Sequence, residues 1–217
     1  MQTIKKEENG LMTNDLVFAK VKQDAIIPTK EDENAGYDIY ACFDEDYMIV
    51  PAHSTKLIPT GIAAAVCDKY YLQVHERGST GSKGMKYGAG VVDSSYRGEI
   101  FICINNVNDR AIIISKLNDI NELFDKCGVD DGGGYFYLPY DINHPLDVDE
   151  DGYETPLGIY EDDDDEIYDH IFYPYSKAIA QLIVHEVPKM NAKEISYEEL
   201  QAIPSKRGTG ALGSSGK

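Results

Sequence analysis

The segment GVVDSSYRGEI, residues 90–100, contains the side chains best suited to chemistry. It places the carboxylate of Asp93 at a polar bend between two runs with strand character, and the ring of Tyr96 shortly after it. A carboxylate held on a hairpin can orient and deprotonate a water molecule for attack on phosphorus. An aromatic ring at a fixed distance from it can pack against a sugar or base. A turn aspartate that caps its own backbone is the alternative for Asp93, and ordinary sheet packing is the alternative for Tyr96.

Two further segments contain groups that could bind phosphate. Residues 76–81 form a polar turn in which the Arg77 guanidinium, the Ser79 hydroxyl and the Gly81 backbone N–H suit phosphate oxygens. Residues 207–217, RGTGALGSSGK, could close over a triphosphate as a flexible arm, and a disordered tail is the alternative. The arm lacks the glycine, lysine and hydroxyl order of a Walker A loop, so the sequence predicts no such loop.

Short strands must position these groups, because no stretch with a period of 3.6 residues is long enough to form the framework. Turn residues interrupt the apolar runs at intervals of about 8–12 residues, which indicates an all-β barrel or sandwich. The predicted strands cover residues 16–21, 47–50, 55–59, 61–66, 70–75, 90–92, 99–104, 111–115, 171–173 and 178–187. The predicted helices are short and cover residues 118–126 and, as options, 80–85 or 196–201.

Composition predicts a soluble globular protein. The chain has 217 residues, of which 42% are hydrophobic, enough for one substantial domain or one domain with a large insertion. No apolar run follows a basic start, and no stretch approaches the roughly 20 apolar residues that span a bilayer. We therefore expect a cytoplasmic location and no membrane association. The cysteines form no CxxC pair, which indicates neither zinc nor disulfides and leaves Cys67 and Cys103 as reduced core residues.

Negative charge is concentrated in one part of the chain. The formal net charge is -18, and residues 117–170 contain 18 acidic residues against Lys126 alone. The rest of the chain is nearly balanced. We expect no nucleic-acid partner for so acidic a chain. Any anion-binding site must lie outside residues 117–170.

Residues 117–170 also differ in amino-acid composition from the rest of the chain. Glycine and acidic runs are loop-like, yet many tyrosines are interleaved with them. Pure disorder is poor in aromatic residues, so we expect a small, partly ordered insertion with exposed tyrosines.

One acidic run in this insertion invites a metal hypothesis. Residues 147–152, DVDEDG, match the start of an EF-hand loop. Gly158 stands where the bidentate glutamate should be, and Pro156 intrudes. These differences favour a solvated acidic loop over a calcium site, although the sequence leaves both open.

Five segments of the chain stand in a distinctive order. They are NAGYDIYA at 34–41, ERGSTGSKGM at 76–85, GVVDSSYRGEI at 90–100, IAQLI at 179–183 and RGTGALGSSGK at 207–217. This order resembles the five motifs of the homotrimeric dUTPase family, the deoxyuridine triphosphate nucleotidohydrolases. One such motif would be a weak signal, whereas five at the spacing of the family are specific.

The resemblance implies an architecture. It implies a homotrimer of dUTPase-like β-barrels of the jelly-roll type, each formed by residues 1–116 and 171–217. Residues 205–217 would be a C-terminal arm, and residues 117–170 would be an acidic insertion between the third and fourth motifs, as in some phage members of the family. Asp93 and Arg207 in one site would come from different subunits.

The resemblance also implies an activity, the Mg²⁺-dependent hydrolysis of dUTP to dUMP and pyrophosphate. This reaction keeps uracil out of DNA and supplies dUMP for dTMP synthesis. Asp93 would be the general base, and Tyr96 would pack under the deoxyribose, where a ribose 2′-hydroxyl would clash. The uracil and deoxyribose residues would be Gly88, Ala89, Gly90, Val92, Tyr96 and Leu212. The phosphate residues would be Arg77, Gly78, Ser79, Gln181, Arg207, Ser214 and Ser215. Mg²⁺ would sit on the substrate phosphates without a direct protein ligand.

Three positions depart from the family pattern. Gly78 replaces the serine that usually follows the arginine of the second motif, and Ala178 replaces the arginine of the fourth. Lys177 could replace that guanidinium, but only as a point charge. Leu212 replaces the aromatic residue that usually stacks on the base. We expect intact chemistry with altered affinity.

Two other functions remain open from the sequence. A dCTP deaminase of the same fold family would need a glutamate near Cys103 and a second arginine near Ser82, and both are missing. The stronger alternative is a regulatory module that binds a basic protein partner through the acidic insertion. An elaborate loop without a partner is the plain alternative to that role.

Overall fold

The computed structural model describes residues 15–132, 136–141, 146–148, 154–156, 158–160 and 170–209. Strands dominate this part of the chain, which confirms the predicted all-β class. The strands before the insertion are β1 (Leu16–Lys20), β2 (Gly36–Ile39), β3 (Tyr47–Val50), β4 (Thr55–Pro59), β5 (Ile62–Val66), β6 (Tyr70–His75), β7 (Met85–Gly88), β8 (Val91–Val92), β9 (Phe101–Asn106) and β10 (Ala111–Ser115). Within and after it come β11 (Val129–Asp130), β12 (Phe136–Pro139), β13 (Leu146–Val148), β14 (Glu154–Pro156), β15 (Gly158–Tyr160), β16 (His170–Pro174) and β17 (Ala180–Glu186). The helices are α1 (Gly78–Gly81), α2 (Ile120–Cys127) and α3 (Tyr197–Ala202).

The strands outside the insertion pair into small sheets that enclose one main core. The strand orders are β1-β5, β16-β10-β3, β2-β17-β6-β8 and β4-β9-β7. All these pairs are antiparallel except β10 with β16, which are parallel. The core residues come from alternate positions, as in β9, where Ile102 and Ile104 point inward. Jelly-roll packing of this kind places the loops between strands at the rim, where site residues can be presented.

Strand β10 is buried on both faces, which explains its continuous apolar sequence AIIIS. Ile112 and Ile114 point into the main core. Ala111 and Ile113 point the other way, into a second hydrophobic cluster formed with the insertion. The members of this second cluster are Tyr47, Ile49, Ala111, Ile113, Leu123, Phe124, Leu138 and Ile159. The insertion is therefore packed on the outside of the β10 sheet.

Polar contacts reinforce this junction between insertion and barrel. The buried Tyr47 hydroxyl donates to the Pro139 carbonyl at 3.2 Å. Lys56 Nζ donates to the carbonyls of Ile49 at 2.9 Å and Tyr140 at 3.4 Å, and burial lowers its pKa. These bonds satisfy groups that the packing removes from water.

Several sequence-based expectations need correction. Strands β2 and β7 were not predicted, because GYDI and MKYG have weak strand propensity and are stabilised by their neighbours β17 and β9. The optional helix over 80–85 is instead the single turn α1. Cys103 is only half-buried, whereas Cys67 is fully buried, and all four cysteines are free thiols.

The insertion also differs from its predicted appearance. Tyr137 is buried against the barrel rather than exposed, and Tyr140 is half-buried. Residues 149–152 of the suggested calcium loop lie outside the described residues, but the flanking elements β13 and β14 are paired strands rather than the helices of an EF-hand.

The chain divides into two compact units, Met1–Val187 and Pro188–Lys217. The second unit contains α3, which confirms the optional helix over 196–201. The Ser196 hydroxyl accepts a hydrogen bond from the Glu199 N–H at 3.1 Å, and the Glu199 carboxylate accepts one from the Ser196 N–H at 2.8 Å. This capping box stabilises the start of a helix only six residues long.

Among the described residues, no helix has the length and apolar character needed to cross a bilayer. The cytoplasmic location and the division into a barrel and an insertion stay predictions.

A matched pair of substitutions on β12 tests whether the insertion shares its core with the barrel. Leu138→Ala should lower the free energy of unfolding by about 2–5 kcal/mol, because this fully buried side chain fills the second cluster. Phe136→Ala should lower it by less than about 1 kcal/mol, because Phe136 is largely exposed on the same strand. Denaturant unfolding of both variants gives the comparison. Equal, small losses would show that the insertion packs loosely on the barrel.

Candidate active site

Strand β8 positions Asp93. Val92 pairs with Leu72 of β6, and the chain turns immediately afterwards. The Tyr96 N–H donates to the Asp93 carbonyl at 3.0 Å, which closes the predicted turn and leaves the Asp93 side chain exposed. The carboxylate therefore has a fixed backbone and free access to solvent.

Asp93 opens into a cleft of about 240 Å³, here called the hairpin cleft. The lining residues are Leu57, Ala89, Val91, Val92, Asp93, Tyr96, Glu99, Ile100, Phe101 and Cys103. The structure thus brings together Ala89, Val92, Asp93 and Tyr96, as the sequence predicted. Sequence reasoning missed Leu57 and Phe101, whose exposed apolar side chains lie on β4 and at the start of β9.

The hydroxyl end of the Tyr96 ring is held in place by two contacts. Its hydroxyl donates to the Glu99 carbonyl at 2.9 Å. The ring passes so close to Gly98 that a Cβ there would lie 2.6 Å from the ring carbon Cζ. Gly98 is therefore required by the ring position, and the ring presents a fixed face to the cleft.

The backbone before the hairpin is unusual. Ala89 has a φ of +48°, in the left-handed region that residues with a side chain rarely adopt. The Gly90 carbonyl accepts a hydrogen bond from the Val74 N–H at 2.8 Å. A Cβ on Gly90 would lie 3.0 Å from the Val74 carbonyl oxygen. The close approach of β6 thus requires Gly90, whereas the sequence had suggested only close approach of a base. Gly88 and Gly90 flank Ala89 without lining the cleft.

A second cleft of about 430 Å³, here called the phosphate cleft, collects the other predicted residues. Its lining residues are Asn34, Ala35, Gly36, Asp38, Arg77, Gly78, Ser79 and Gln181. Three sequence motifs meet here, because β2, β17 and β6 are neighbours in one sheet. Arg77, Gly78, Ser79 and Gln181 are brought together as predicted.

Asp38 organises the phosphate cleft, and sequence reasoning missed it. Arg77 donates from Nε to Oδ1 of Asp38 at 2.8 Å and from Nη2 to Oδ2 at 3.0 Å. A two-point pair of this kind fixes the plane of the guanidinium. Arg77 Nη1 also donates to the Ala178 carbonyl at 3.3 Å and to the Ser79 hydroxyl at 3.4 Å. The sequence did contain a signal for Asp38, since it is the acidic residue of the first motif.

Gln181 is fixed between two strands. Its Nε2 donates to the Glu76 carbonyl at 2.7 Å. A Cβ on Gly36, in the adjacent β2, would lie 2.6 Å from Gln181 Oε1 and 2.9 Å from Gln181 Cβ. Gln181 can therefore pack closely against β2 because Gly36 has no side chain.

The predicted site residues of the tail are not placed in either cleft. Leu212, Ser214 and Ser215 lie outside the described residues. Arg207 belongs to the second compact unit, where its N–H donates to the Ser205 hydroxyl at 3.3 Å.

Comparison with known proteins gives the family of the chain. A family model described as dUTPase matches residues 22–124. The deoxyuridine 5′-triphosphate nucleotidohydrolase of Debaryomyces hansenii is 33% identical over 124 residues, which cover 56% of this chain and 76% of the relative. The chain belongs to the dUTPase family. A nucleotidohydrolase of the same name from Leptospira interrogans is 31% identical over 99 residues, covering 44% of this chain and 68% of the relative.

A solved member of the dUTPase family has the same fold. The dUTPase of Staphylococcus bacteriophage 80alpha with dUpNHpp matches with a TM-score of 0.59 and 20% identity, over 94% of this chain and 100% of that chain. The match covers nearly all of this chain, and at this identity it shows a common fold.

Two departures from the dUTPase pattern can now be placed. Gly78 is exposed, and a Cβ there would have no atom within 4 Å, so a serine would fit without rearrangement. Ala178 is buried, and its carbonyl accepts hydrogen bonds from Arg77 and, at 2.6 Å, from the Tyr173 hydroxyl. Lys177 is exposed and does not line the phosphate cleft.

Two glycines of the phosphate cleft form a matched test of this packing. Gly36→Ala should lower the free energy of unfolding by about 1–3 kcal/mol, because the new methyl group collides with the Gln181 stem. Gly78→Ala should change it by no more than about 0.5 kcal/mol, because the space around Gly78 is open. Urea unfolding measures both. A Gly36→Ala variant as stable as Gly78→Ala would contradict the close approach of Gln181.

Proposed function

We propose that this protein hydrolyses dUTP to dUMP and pyrophosphate. The observation that carries the proposal is the Asp93 hairpin, which directs one carboxylate into the same cleft as the fixed ring of Tyr96. Membership of the dUTPase family supports it, because the relatives are named deoxyuridine 5′-triphosphate nucleotidohydrolases.

Asp93 acts as the general base in this proposal. Its carboxylate accepts a proton from a water molecule, whose oxygen attacks the α-phosphorus in line with the leaving pyrophosphate. The backbone hydrogen bond from Tyr96 to the Asp93 carbonyl supports this role, because it holds the carboxylate at the mouth of the cleft without using its side-chain oxygens.

The hairpin cleft selects the base and the sugar. Uracil needs an acceptor for its N3–H and donors for its carbonyls, and the backbone around Ala89 offers both kinds of group. Cytosine presents the opposite pattern at N3 and the exocyclic position, so the same backbone rejects it. The Tyr96 ring, fixed by Glu99 and Gly98, packs under the deoxyribose and excludes a ribose 2′-hydroxyl.

The phosphate cleft binds the triphosphate with Mg²⁺. Asn34, Asp38, Ser79 and Gln181 offer oxygen atoms that can accept hydrogen bonds from magnesium-bound water, a donor set that fits a hydrated ion better than a direct protein cage. Bound magnesium neutralises charge on the phosphate oxygens. Arg77 then contributes a guanidinium whose plane Asp38 has already fixed.

We infer further that the complete site is shared between copies in a homotrimer. The two clefts of one chain have no lining residue in common, although one triphosphate must reach both Asp93 and Arg77. A contact in which the hairpin cleft of one copy meets the phosphate cleft of the next is head-to-tail, and such contacts close into a ring. The arm 205–217, with Arg207, Leu212, Ser214 and Ser215, would cover the nucleotide in a site formed by neighbouring copies.

A second function, the binding of a protein partner, is favoured by one surface of the insertion. Phe136 of β12 is an exposed apolar residue, and its pairing partner Asp130 of β11 presents an exposed carboxylate on the same face. An apolar anchor within an acidic rim suits a basic protein partner. This role would accompany catalysis rather than replace it.

Pyrophosphate release from dUTP, dCTP, dTTP and UTP, measured in parallel with Mg²⁺, tests the proposed function. The wild-type protein should release pyrophosphate from dUTP alone. Asp93→Asn should lower the rate by more than about 100-fold, because it removes the base while keeping the shape of the side chain. The variant should still bind dUTP in calorimetry.

Two results would count against this proposal. Wild-type turnover in Asp93→Asn would refute the base, and equal rates with UTP would refute Tyr96 as the sugar discriminator. No release from any nucleotide would leave protein binding as the function.

Mixed oligomers test whether the site is shared. Asp93→Asn and Arg77→Ala should each be nearly inactive alone. After the two are unfolded and refolded together in equal amounts, about one quarter of the sites should combine an intact Asp93 with an intact Arg77 from the next copy. Activity should therefore return to roughly that fraction of wild type. The unmixed variants refolded separately are the control, and a mixture that stays inactive would place both residues of a site in one chain.

A further inference from the structure

Glu99 connects the catalytic hairpin to the turn between β4 and β5. Its Oε1 accepts a hydrogen bond from the Thr60 N–H at 3.1 Å and a second from the Gly61 N–H at 2.7 Å. One carboxylate oxygen thus caps both amides of the turn between β4 and β5. Hydrogen bonds from backbone N–H groups to a carboxylate are among the stronger ones in proteins.

The capped turn is itself rigid. Gly61 has a φ of +65°, and a Cβ there would lie 2.8 Å from the Ala25 Cβ. Two further hydrogen bonds lie on either side of the Glu99 carboxylate. The Thr60 hydroxyl donates to the Ile100 carbonyl at 2.5 Å, and the Ile100 N–H donates to the Ile62 carbonyl at 2.8 Å. Glu99 is therefore anchored on a part of the barrel that has little freedom to move.

The anchor continues to the residues that act on the substrate. The Tyr96 hydroxyl donates to the Glu99 carbonyl, and the Tyr96 N–H donates to the Asp93 carbonyl. Two successive hydrogen bonds thus lead from the backbone of Glu99 to the backbone of Asp93. Arg97 donates to the Ser94 and Tyr96 carbonyls and braces the turn internally, while β8 ties the start of the hairpin to β6.

We propose that Glu99 is a positioning residue for catalysis and for sugar discrimination. It acts through Tyr96 and Asp93, by fixing the end of the hairpin on the Thr60–Gly61 turn. This inference rests on the proposed dUTP hydrolysis. The role requires a side chain at position 99 that is long enough to place an acceptor oxygen beside the Thr60 and Gly61 amides. Both amides are neutral, and both donate to Oε1. The negative charge of Glu99 is not itself required.

Two substitutions separate reach from charge. Glu99→Gln keeps an acceptor oxygen at the same distance and loses the charge, so its kcat for dUTP should stay within about threefold of wild type. Glu99→Asp keeps the charge but is one methylene too short, so its kcat should fall roughly 10- to 100-fold. The dUTP over UTP preference should fall in Glu99→Asp and persist in Glu99→Gln, because the Glu99 backbone carbonyl that holds the Tyr96 hydroxyl shifts only when the side chain no longer reaches the Thr60–Gly61 turn.

A buried residue elsewhere in the barrel supplies the stability control. Asn106 Nδ2 donates to the carbonyls of Pro51 at 2.9 Å and Arg110 at 2.8 Å. Asn106→Ala should lower the melting temperature without changing the dUTP over UTP preference. If Glu99→Asp only loses stability, as this control does, the positioning role is wrong. If Glu99→Gln is as impaired as Glu99→Asp, the charge is required and the proposal is also overturned.

Hydrogen exchange tests the same anchor without turnover. In Glu99→Asp the amides of Thr60, Gly61 and Tyr96 should exchange at least tenfold faster than in wild type, whereas in Glu99→Gln they should not. Unchanged exchange at Tyr96 would overturn the connection from Glu99 to the hairpin. A wild-type protein that releases no pyrophosphate but shows this exchange pattern would refute the proposed function and support the anchor as a structural feature.

Discussion

The pairing of β6 along both of its edges is the constraint on which the site depends. On one edge β6 pairs with β8, which ends one residue before Asp93, and on the other with β17, which contains Gln181. Two residues after β6 the chain reaches Arg77. A sheet of hydrogen-bonded strands holds its members at about 4.8 Å from one another, so the hairpin and the phosphate cleft keep a fixed separation. In the proposed shared site, Asp93 of one copy and the phosphate ligands of another would be matched through sheets of equally fixed geometry.

The same strand explains which parts of the site the sequence could predict. The hairpin from Val91 to Tyr96 is local, so its turn and its carboxylate were visible in a few adjacent residues. The pair of Asp38 with Arg77 is not local, because it forms only when β2 and β6 lie on either side of β17. Strand order of this kind depends on tertiary packing rather than on local propensity. The family resemblance pointed to both motifs but gave no contact between them.

The insertion shows a similar limit for the fold. Its aromatic residues correctly predicted partial order, yet the sequence did not show that Leu138 and Ile159 would pack against Ile113. The run AIIIS of β10 was consistent with a strand buried on both faces. The residues that cover its outer face come from the insertion, later in the chain, so the run itself could not identify them. Since β10 also contributes Ile112 and Ile114 to the main core, a change on one face is transmitted through the same backbone to the other. The insertion therefore contributes to the stability of the barrel.

The charges of the phosphate cleft indicate what the proposed binding of a triphosphate would need from outside the cleft. Asp38 and Arg77 are the charged residues among the described lining, and they form a pair with each other. The cleft is thus close to neutral, because Ala178 adds no charge and the exposed Lys177 does not line it. A nearly neutral cleft cannot offset the several negative charges of a triphosphate by itself. In the proposed function, the compensating charge would come from magnesium and from the arm, and Arg207 would then carry a larger share of the binding than it would beside a second arginine in the cleft.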